Sequence, residues 1–554
     1  MKWKGKGKGN IMIWKGKGKG KGNIMIWKGK GKGNIFTRPT PSPMLPPTPT
    51  TAPSIQPIVD FEGQDDWEQG ASINLLVSDN LQLQGEALPF NFIWIAASGR
   101  GTVMKINTLT GDIIGEYKSG PDSAGFGNPS RTTVDAVGSI WVTNRDHFPG
   151  SVVHIGLAEN NQCEDRNGNG VIDTSTGKGD ILDWLDETGD RGVATADDEC
   201  IVVFTGVSSS GTRHLSLDKD NNLWVGGYLS RSWDLIKGGR YDDPNHGSIL
   251  QNYPSVEYGG YGGLIDKNNV LWSASPLLRW NVSLPLEGPN GDPIGSDIGP
   301  PRNGTNWAGS SAPFTYGLCI DSTGNVWATS FGDQVYKFSP EGVYLGTFFH
   351  GGSSSQGCVV GLDDDVWVAH SLYGSSVGRI RNNGTLVGVV PVGSGPTGVA
   401  VDGAGKIWSA NINDNSLTRI DPSLNDGLGA VDLFSVDLGE GAGPYNYGDM
   451  TGSTNTAPPS QGSWTFSYNS GNVDQEWGIF DWEADTPSDS QVVVEARSST
   501  DRTTFSAYER AIKGTDLSLP SGQYLEIRVL LIRASTGETP VVNGLAIFYT
   551  PAPV

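Results

Sequence analysis

The stretch Gly398-Val-Ala-Val-Asp402-Gly-Ala-Gly-Lys-Ile-Trp408 decides the fold, because variants of it recur along most of the chain. A full copy has a Gly-rich entry, a short apolar strand, Asp, three or four turn residues, an aliphatic residue and Trp. A second clear copy is Gly317-Leu-Cys-Ile-Asp321-Ser-Thr-Gly-Asn-Val-Trp327. A unit of this length cannot bury its apolar face alone, so neighbouring copies must stack. The remaining copies centre on Trp141, Trp224, Trp272 and Trp367, with a partial copy at Trp94.

The spacing of the seven repeat tryptophans gives the number of units. Successive tryptophans are 47, 83, 48, 55, 40 and 41 residues apart, and the 83 contains an insertion. The other steps lie in or near the length of a β-propeller blade, roughly 40–50 residues. Each Trp strand is followed by further short strands with polar turns. The sequence therefore predicts an all-β protein with a seven-bladed β-propeller over residues 59–452.

The first repeat is incomplete, because no Gly-x-x-x-Asp strand precedes Trp94. Past the last repeat, Pro444-Tyr-Asn-Tyr-Gly-Asp449-Met-Thr-Gly452 is similar to the entry strand that begins at Pro396. We predict that residues 444–452 supply the inner strand of the first blade, so that the ring has no open edge. The alternative is an open linker after Leu438.

The flanking segments differ from the repeats in composition. Residues 1–36 hold 11 Lys and no acid, which predicts a disordered tail or, alternatively, a polybasic arm. Residues 37–58 are a Pro/Thr linker. Residues 453–554 alternate apolar and polar positions, as in Gln491-Val-Val-Val-Glu-Ala-Arg497, and predict a C-terminal antiparallel β-sandwich.

The charge of the chain limits its partners. The formal net charge is −21; without the 11 Lys of the tail, 39 − 11 = 28 basic residues face 60 acidic ones, a net of −32. A body this acidic repels nucleic acid and anionic membranes. No run of about 18 apolar residues occurs, so no transmembrane segment is predicted. We expect a secreted or cell-surface protein, with an export signal that is not visible in this chain.

Four cysteines make an even count without CxxC spacing. Cys163 and Cys200 flank one acidic insertion, residues 160–200, and a disulfide between them would join its base. Cys319 and Cys358 occupy near-equivalent strand positions in successive repeats and form a possible second pair. The alternative is four free buried thiols.

The insertion carries the clearest metal-binding pattern. Its sequence D-x-N-x-N-G-x-I-D covers the first nine positions of an EF-hand-like calcium loop. The pattern resembles dockerin repeats but departs from them at position twelve, which is Thr176. Asp180 is therefore the candidate for the late carboxylate, with Asp183 second, and the alternative is an Asx-rich turn without metal. The predicted ligands of a structural Ca²⁺ ion are Asp165, Asn167, Asn169, Val171, Asp173 and Asp180.

The functional surface of a propeller is expected at the mouth of its central channel, where residues enter the inner strands. Aromatic, Arg and Gln side chains there suit stacking on and hydrogen bonding to a sugar or a peptide. The alternative is that these side chains only plug the channel. The predicted mouth residues are Arg131, Arg213, His214, Tyr261, Tyr316, Gln356, His370 and Tyr447.

Over roughly residues 90–450 the repeats resemble the streptogramin lyase and NHL-type propeller group, whose units follow Gly-[IV]-Ala-[IV]-Asp-x-x-Gly-x-[IL]-Trp. The resemblance implies the propeller fold. Streptogramin lyases use a metal with His and Glu, and their repeats typically follow Trp with Phe-Thr-Glu. Here the tails, such as Trp141-Val-Thr-Asn144, have no Glu at the fourth position, and His370 is the only His so placed. We therefore predict a binding or structural module for carbohydrate or an extracellular protein; a lyase or hydrolase working at the mouth is the alternative.

Overall fold

The structure is a computed structural model that describes residues 73–74, 81–83, 89–283 and 314–548, apart from 126, 146–148, 195–196, 255, 257 and 456–457. The predicted tail and Pro/Thr linker lie outside the described residues. The chain forms two compact units, one of Gly85–Gly168 with Ile172–Pro459 and one of Ser460–Val554 with the chain before Gly85 and Asn169–Val171. No described helix is long and apolar enough to cross a membrane.

Two short strands, β1 (Ile73–Asn74) and β2 (Leu81–Leu83), precede the first unit, which holds seven sheets within the described residues. The sheets are antiparallel, with three or four strands each, and follow one another in chain order. The seven-bladed propeller predicted from the repeats is confirmed. Blade 1 has β3 (Phe92–Ala97), β4 (Thr102–Asn107) and β5 (Ile113–Lys118); blade 2 has β6 (Pro129–Val134), β7 (Ile140–Asn144), β8 (Ser151–Ile155) and β9 (Ile201–Gly206); blade 3 has β10 (Thr212–Leu217), β11 (Leu223–Gly227), β12 (Trp233–Ile236) and β13 (Ile249–Tyr253); blade 4 has β14 (Gly263–Ile265), β15 (Val270–Ser273) and β16 (Leu278–Asn281); blade 5 has β17 (Leu318–Ile320), β18 (Val326–Thr329), β19 (Gln334–Phe338) and β20 (Tyr344–Phe349); blade 6 has β21 (Ser355–Val360), β22 (Val366–His370), β23 (Ser376–Ile380) and β24 (Leu386–Pro391); blade 7 has β25 (Pro396–Val401), β26 (Ile407–Asn411), β27 (Ser416–Asp421) and β28 (Ala430–Asp437).

The described helical segments are all short. They are the 3₁₀ turns Asp122–Ala124 and Ala158–Asn160 and the four-residue segment Leu424–Gly427.

The Gly at the entry of the repeat permits the inner strands to approach closely. From blade 1 to blade 7, the first strand of each blade contacts the first strand of the blade that follows it in the chain. A Cβ on Gly317 would lie 2.3 Å from the Gln356 carbonyl oxygen, and one on Gly398 would lie 1.9 Å from that of Asn446. Both contacts are to backbone, which cannot move aside, so these positions accept only glycine in this ring.

The Asp of the repeat explains its fixed spacing to Trp. In blade 7, Asp402 Oδ1 accepts hydrogen bonds from the Ala404 and Lys406 amides, both at 2.9 Å, and closes the turn. Its other oxygen, Oδ2, accepts the Trp408 indole N–H at 2.8 Å. One carboxylate therefore links the turn to the buried ring six residues later. The same Asp-to-indole bond joins Asp218 to Trp224, Asp266 to Trp272 and Asp321 to Trp327.

A cation on the third strand covers the repeat Trp in most blades. Arg419 is the cross-strand neighbour of Trp408, with its guanidinium carbon 5.7 Å from the ring centroid. In blade 2 the equivalent residue, His154, stacks on Trp141 at 4.2 Å. The residues that cover the Trp of blades 1, 4, 5 and 6 are Lys105, Arg279, Lys337 and Arg379.

The predicted closure of the ring is confirmed. The segment after blade 7 runs antiparallel beside β3, with a β-bridge between Ala97 and Pro444. The Asn446 side chain donates to the Trp94 carbonyl at 3.2 Å and accepts from Thr132 Oγ1 of blade 2 at 3.0 Å. Three backbone hydrogen bonds complete the joint: Phe90 N to Thr451 O, Trp94 N to Met450 O and Gly99 N to Ala442 O.

Both predicted disulfides are present. Cys163 and Cys200 join the base of the insertion with a Cα–Cα distance of 4.4 Å. Cys319 of blade 5 and Cys358 of blade 6 are 5.7 Å apart at Cα and link two neighbouring inner strands. No free cysteine remains in the described chain.

The second unit is a β-sandwich around Trp464, Phe466 and Phe480. One sheet has the order β29-β33-β31-β32 and the other β1-β2-β34-β30. The predicted start of the propeller at residue 59 is therefore too early, because the strands Ile73–Asn74 and Leu81–Leu83 belong to the sandwich, where Leu83 is buried in the core. The strands of this unit that follow the propeller are β29 (Gln461–Asn469), β30 (Phe480–Asp485), β31 (Gln491–Ser499), β32 (Glu509–Arg510), β33 (Tyr524–Ile532) and β34 (Val541–Ile547).

Candidate ligand site at the channel mouth

Side chains from several points of the ring meet in one tyrosine–arginine cluster. Arg131 comes from blade 2 and Arg213 from blade 3, while Tyr261 and Tyr316 directly precede the inner strands of blades 4 and 5. The closing segment adds Tyr447. Residues this far apart around a ring can meet only near its axis, so the cluster occupies the central channel.

Four phenol hydroxyls of this cluster form one hydrogen-bonded group. Tyr261 donates to the Tyr316 hydroxyl at 3.0 Å, and Tyr447 donates to the same oxygen at 3.3 Å. The fourth member is Tyr445, which hydrogen-bonds to Tyr316 and whose hydroxyl oxygen lies 3.3 Å from that of Tyr447. Tyr445 was not predicted as a mouth residue, although it shares the Pro444-Tyr-Asn-Tyr447 stretch with Tyr447.

Arg131 is the buried base of the cluster. Its Nε donates to the Arg213 carbonyl at 2.9 Å and its Nη2 to the Tyr261 carbonyl at 2.6 Å. The guanidinium group lies against the Tyr447 ring. Its Nη1 is buried without a hydrogen-bond partner among the described residues. The space for this group depends on Gly262, where a Cβ would lie 2.7 Å from Nη2.

Two further guanidinium groups are half-buried above Arg131. Arg213 Nη1 donates to the hydroxyls of Tyr261, Tyr445 and Tyr447 at 3.0, 3.3 and 3.4 Å. Arg145 lies over the Tyr445 ring, 4.4 Å from its centroid. The mouth therefore combines three cations with a group of phenols.

Aromatic rings continue from the cluster to the surface. Tyr228 packs edge-on against Tyr261 with ring centroids 5.1 Å apart, and Phe331 lies 5.2 Å from Tyr316. Phe314 is 55% exposed and 6.4 Å from Tyr261. Phe331 has a left-handed backbone, with φ of +62°, which is strained for a bulky residue and is commonly retained at functional sites. The rim thus offers flat apolar faces to solvent.

The cluster shifts the pKa values of Tyr316 and Tyr445 in opposite directions. Burial and the neighbouring phenols raise the pKa of Tyr316. Burial opposes ionisation of Tyr445 as well, but the hydroxyls of Tyr316 and Tyr447 and the charges of Arg213 and Arg131 lower its pKa to about 8. Tyr445 therefore ionises more readily than Tyr316.

The structure does not bring His214, His370 or Gln356 into this hydrogen-bonded group. His214 lies inside a blade, within 3.0 Å of Ser273 Oγ and 2.8 Å of Ser216 Oγ. Burial lowers its pKa to about 3, and burial together with His350 lowers that of His370 to about 4. The Gln356 amide oxygen is buried and has no partner among the described residues. His214 and Gln356 were expected at the mouth from their strand entries, and His370 from its place after Trp367, but the sequence does not give the direction of each side chain.

The predicted calcium loop is a tight exposed coil. Asp165 Oδ1 accepts the Gly168 amide at 2.8 Å, and Asn169 Oδ1 accepts the Val171 amide at 2.7 Å. The side chains of Asn167 and Asp173 meet at 2.7 Å. Gly170 has φ of +85°, as the sharp turn requires. Among the described residues no three His, Cys, Asp or Glu side chains are grouped to hold a metal, so a calcium site here would depend on amide and carbonyl oxygens as well as carboxylates.

The predicted late carboxylate, Asp180, is not joined to this loop. It accepts both the amide and the hydroxyl of Thr176 at 2.8 Å. Asp183, the second candidate, is 92% exposed and faces Lys118 at 3.9 Å. The acid that reaches the loop is Glu199, whose buried carboxylate accepts three loop amides: Arg166 and Asp173 at 2.9 and 2.8 Å, and Asn167 at 3.2 Å. The sequence does not link Glu199 to the loop, because this residue stands beside Cys200 at the far end of the insertion.

The rest of the insertion packs on blade 1. Trp184 is fully buried in a cluster with Tyr117. Its carbonyl accepts the Asp122 amide at 2.9 Å. Glu116 links the two segments, since its amide donates to Ser175 Oγ and its carboxylate accepts the Gly179 amide. This part of the insertion is therefore anchored to blade 1.

Comparison with known proteins finds likeness at the level of structure. No protein-family profile and no curated protein matches the chain. Virginiamycin B lyase from Staphylococcus aureus is 14% identical over 57% of this chain and 87% of its own, with a TM-score of 0.37. A putative 6-phosphogluconolactonase from Bacteroides fragilis is 15% identical over 64% and 97%, with a TM-score of 0.44. The WD40 propeller domain of Doa1 is 13% identical over 62% and 93%, with a TM-score of 0.34.

Proposed function

We propose that this protein is a secreted or surface-attached binding module that takes a carbohydrate or another extracellular partner at the channel mouth. The observation that carries the proposal is the tyrosine–arginine cluster, with its half-buried hydroxyls below a rim of aromatic rings. Rings bind the flat faces of sugars, and converging hydroxyl and guanidinium groups fix their orientation. Two disulfides support an oxidising, extracellular setting.

A binding function fits the mouth better than the alternative of a lyase or hydrolase. General acid–base catalysis needs a proton donor and acceptor placed together. The two histidines predicted at the mouth are bonded to Ser273 and Ser216 in one case and to His350 and Ser376 in the other. The described mouth offers phenols and guanidinium groups instead.

A glycan array with the full-length protein tests the proposal. We expect selective binding of a set of oligosaccharides, and a loss of at least about tenfold in affinity for Tyr261→Ala, which removes both a ring and a hydroxyl. Phe434→Ala is the matched control, because Phe434 is an exposed aromatic residue on the outer strand of blade 7. Absence of any glycan binding, or equal losses in both variants, would contradict carbohydrate binding at the mouth.

We also propose that the loop of Asp165–Asp173 binds Ca²⁺ as a structural ion. The donor set of carboxylate, amide and Val171 carbonyl oxygens suits a hard cation, and the ion would hold together a loop whose carboxylates otherwise repel. We expect Ca²⁺ to raise the melting temperature by several degrees, and Asp173→Asn to remove that shift. Glu187→Gln, which removes an exposed charge in the same insertion, should keep it. An unchanged melting temperature in chelator would show that the loop is an Asx-rich turn without metal.

A further inference from the structure

We infer that the channel mouth selects acidic saccharides, and that a carboxylate or sulfate group of the ligand docks against Arg213 and Arg131. This inference rests on the proposed binding function and specifies the chemistry of its ligand. Arg145, with its guanidinium carbon 4.4 Å from the Tyr445 ring centroid, provides a third positive charge for a ligand with more than one acidic group.

The first support is that these three arginines have no acidic partner. In the part of the chain that the structure describes, no carboxylate oxygen lies within 4.0 Å of Arg131, Arg145 or Arg213. Their contacts are carbonyls, an amide oxygen, hydroxyls and rings. In the same acidic protein, many arginines do pair with carboxylates. They include Arg100, Arg240, Arg379, Arg419, Arg497 and Arg528.

The second support is an unused donor. Arg131 is 2% exposed, yet its Nη1 has no hydrogen-bond partner among the described residues, and neither has Arg213 Nε. A buried guanidinium donor without an acceptor costs free energy. An anionic oxygen would supply the missing acceptors with charge-assisted hydrogen bonds, which are stronger than neutral ones.

The third support is the positive potential at Tyr445. Burial alone would raise the pKa of this phenol, but neighbouring hydroxyls and the charges of Arg213 and Arg131 lower it to about 8. The same potential that favours a phenolate favours a ligand anion at this place.

The chain as a whole carries a net charge of −21, so a group of three arginines without acidic partners among the described residues differs from its surroundings. The acidic surface repels anions at long range, but screening at physiological ionic strength limits that repulsion to a distance of about 8 Å. Contact with the mouth is therefore decided by the three guanidinium groups. The rim of Tyr228, Phe314 and Phe331 favours a saccharide over an acidic peptide, because flat rings stack on sugar faces.

Isothermal titration of matched probe pairs tests the inference. Trigalacturonate, a sulfated galactose trisaccharide and a Glu-rich peptide are compared with neutral galactotriose. We expect at least one acidic saccharide to bind about tenfold or more tightly than the neutral one, and Arg213→Gln to remove that preference. Arg381→Gln, which removes an exposed arginine from a turn of blade 6, should retain it.

The outcomes separate this inference from the proposed function. If only neutral saccharides bind, and Tyr261→Ala still loses that binding, the acidic preference is overturned but the proposed binding function stands. Binding of the peptide but of no acidic saccharide overturns the choice of ligand. A preference that persists in both Arg213→Gln and Arg145→Gln places the anion elsewhere and overturns the site.

Discussion

At the scale of single residues, the repeat is held by an Asp, a Trp and a cation. The Asp closes the turn before the second strand and accepts the indole N–H, as Asp402 does for Trp408. The cation covers the ring from the third strand, as Arg419 does. The Asp and Trp are visible in the sequence because they stand six residues apart in five of the seven repeats. The cation cannot be identified from the sequence, because the number of residues between Trp and the cation varies with the length of each hairpin.

Replacement of Asp402 tests this role. Asp402→Ala leaves two turn amides and a buried indole N–H without their acceptor, and we expect the free energy of unfolding to fall by about 2–3 kcal/mol. Asp402→Asn keeps an acceptor oxygen and should cost less. Urea unfolding measures both, and equal losses in the two variants would contradict the account.

At the scale of elements, neighbouring blades are joined by different kinds of interaction. Blades 5 and 6 share the Cys319–Cys358 disulfide and a buried contact between His350 Nδ1 and His370 Nε2 at 2.9 Å. The disulfide could be predicted, because the two cysteines stand at equivalent repeat positions. The histidine contact could not, since His350 follows the outermost strand of its blade and has no counterpart in the repeat.

The histidine contact makes stability depend on pH. Burial and the charge of His350 lower the pKa of His370 to about 4. Asp333 acts in the opposite direction on His350, because its negative charge favours the protonated form of that histidine. The unfolded state, with a His pKa near 6.5, therefore binds more protons below that value. The contribution of His370 to the free energy of unfolding is fully present above about pH 6.5 and is lost as the pH falls towards about 4.

Urea unfolding at pH 7.5 and 5.0 measures this dependence. We expect the wild-type protein to be less stable at pH 5.0, and His370→Asn to reduce the difference by about 1–2 kcal/mol. The same difference in both proteins would show that His370 titrates normally in the fold.

At the scale of the whole molecule, the ring depends on close contact between its first and last strands. Gly398→Ala would place a Cβ 1.9 Å from the Asn446 carbonyl oxygen in the closing segment. We expect a loss of more than about 2 kcal/mol in the free energy of unfolding. Gly206→Ala is the control, because a Cβ there meets no atom within 4 Å. Equal stability of the two variants would contradict the closure.

The fold was largely predictable and the candidate site only in part. Repeats encode a ring because each unit has the same local chemistry, and the incomplete first copy indicated its closure by residues 444–452. The site combines residues from different blades, and nothing in the spacing of Arg131 and Tyr445 indicates that they meet. Five of its members stand at predicted strand entries, whereas for His214 and Gln356 the strand entry gave a position but not the direction of the side chain.

The most direct test of the central claim is a crystal structure of the protein with the tightest saccharide from the array. The account predicts a sugar ring against Tyr228, Tyr261 or Phe314, with an acidic group within about 3 Å of a guanidinium nitrogen of Arg213. A saccharide bound to the sandwich or to the outer strands of the blades, with the mouth empty, would contradict it.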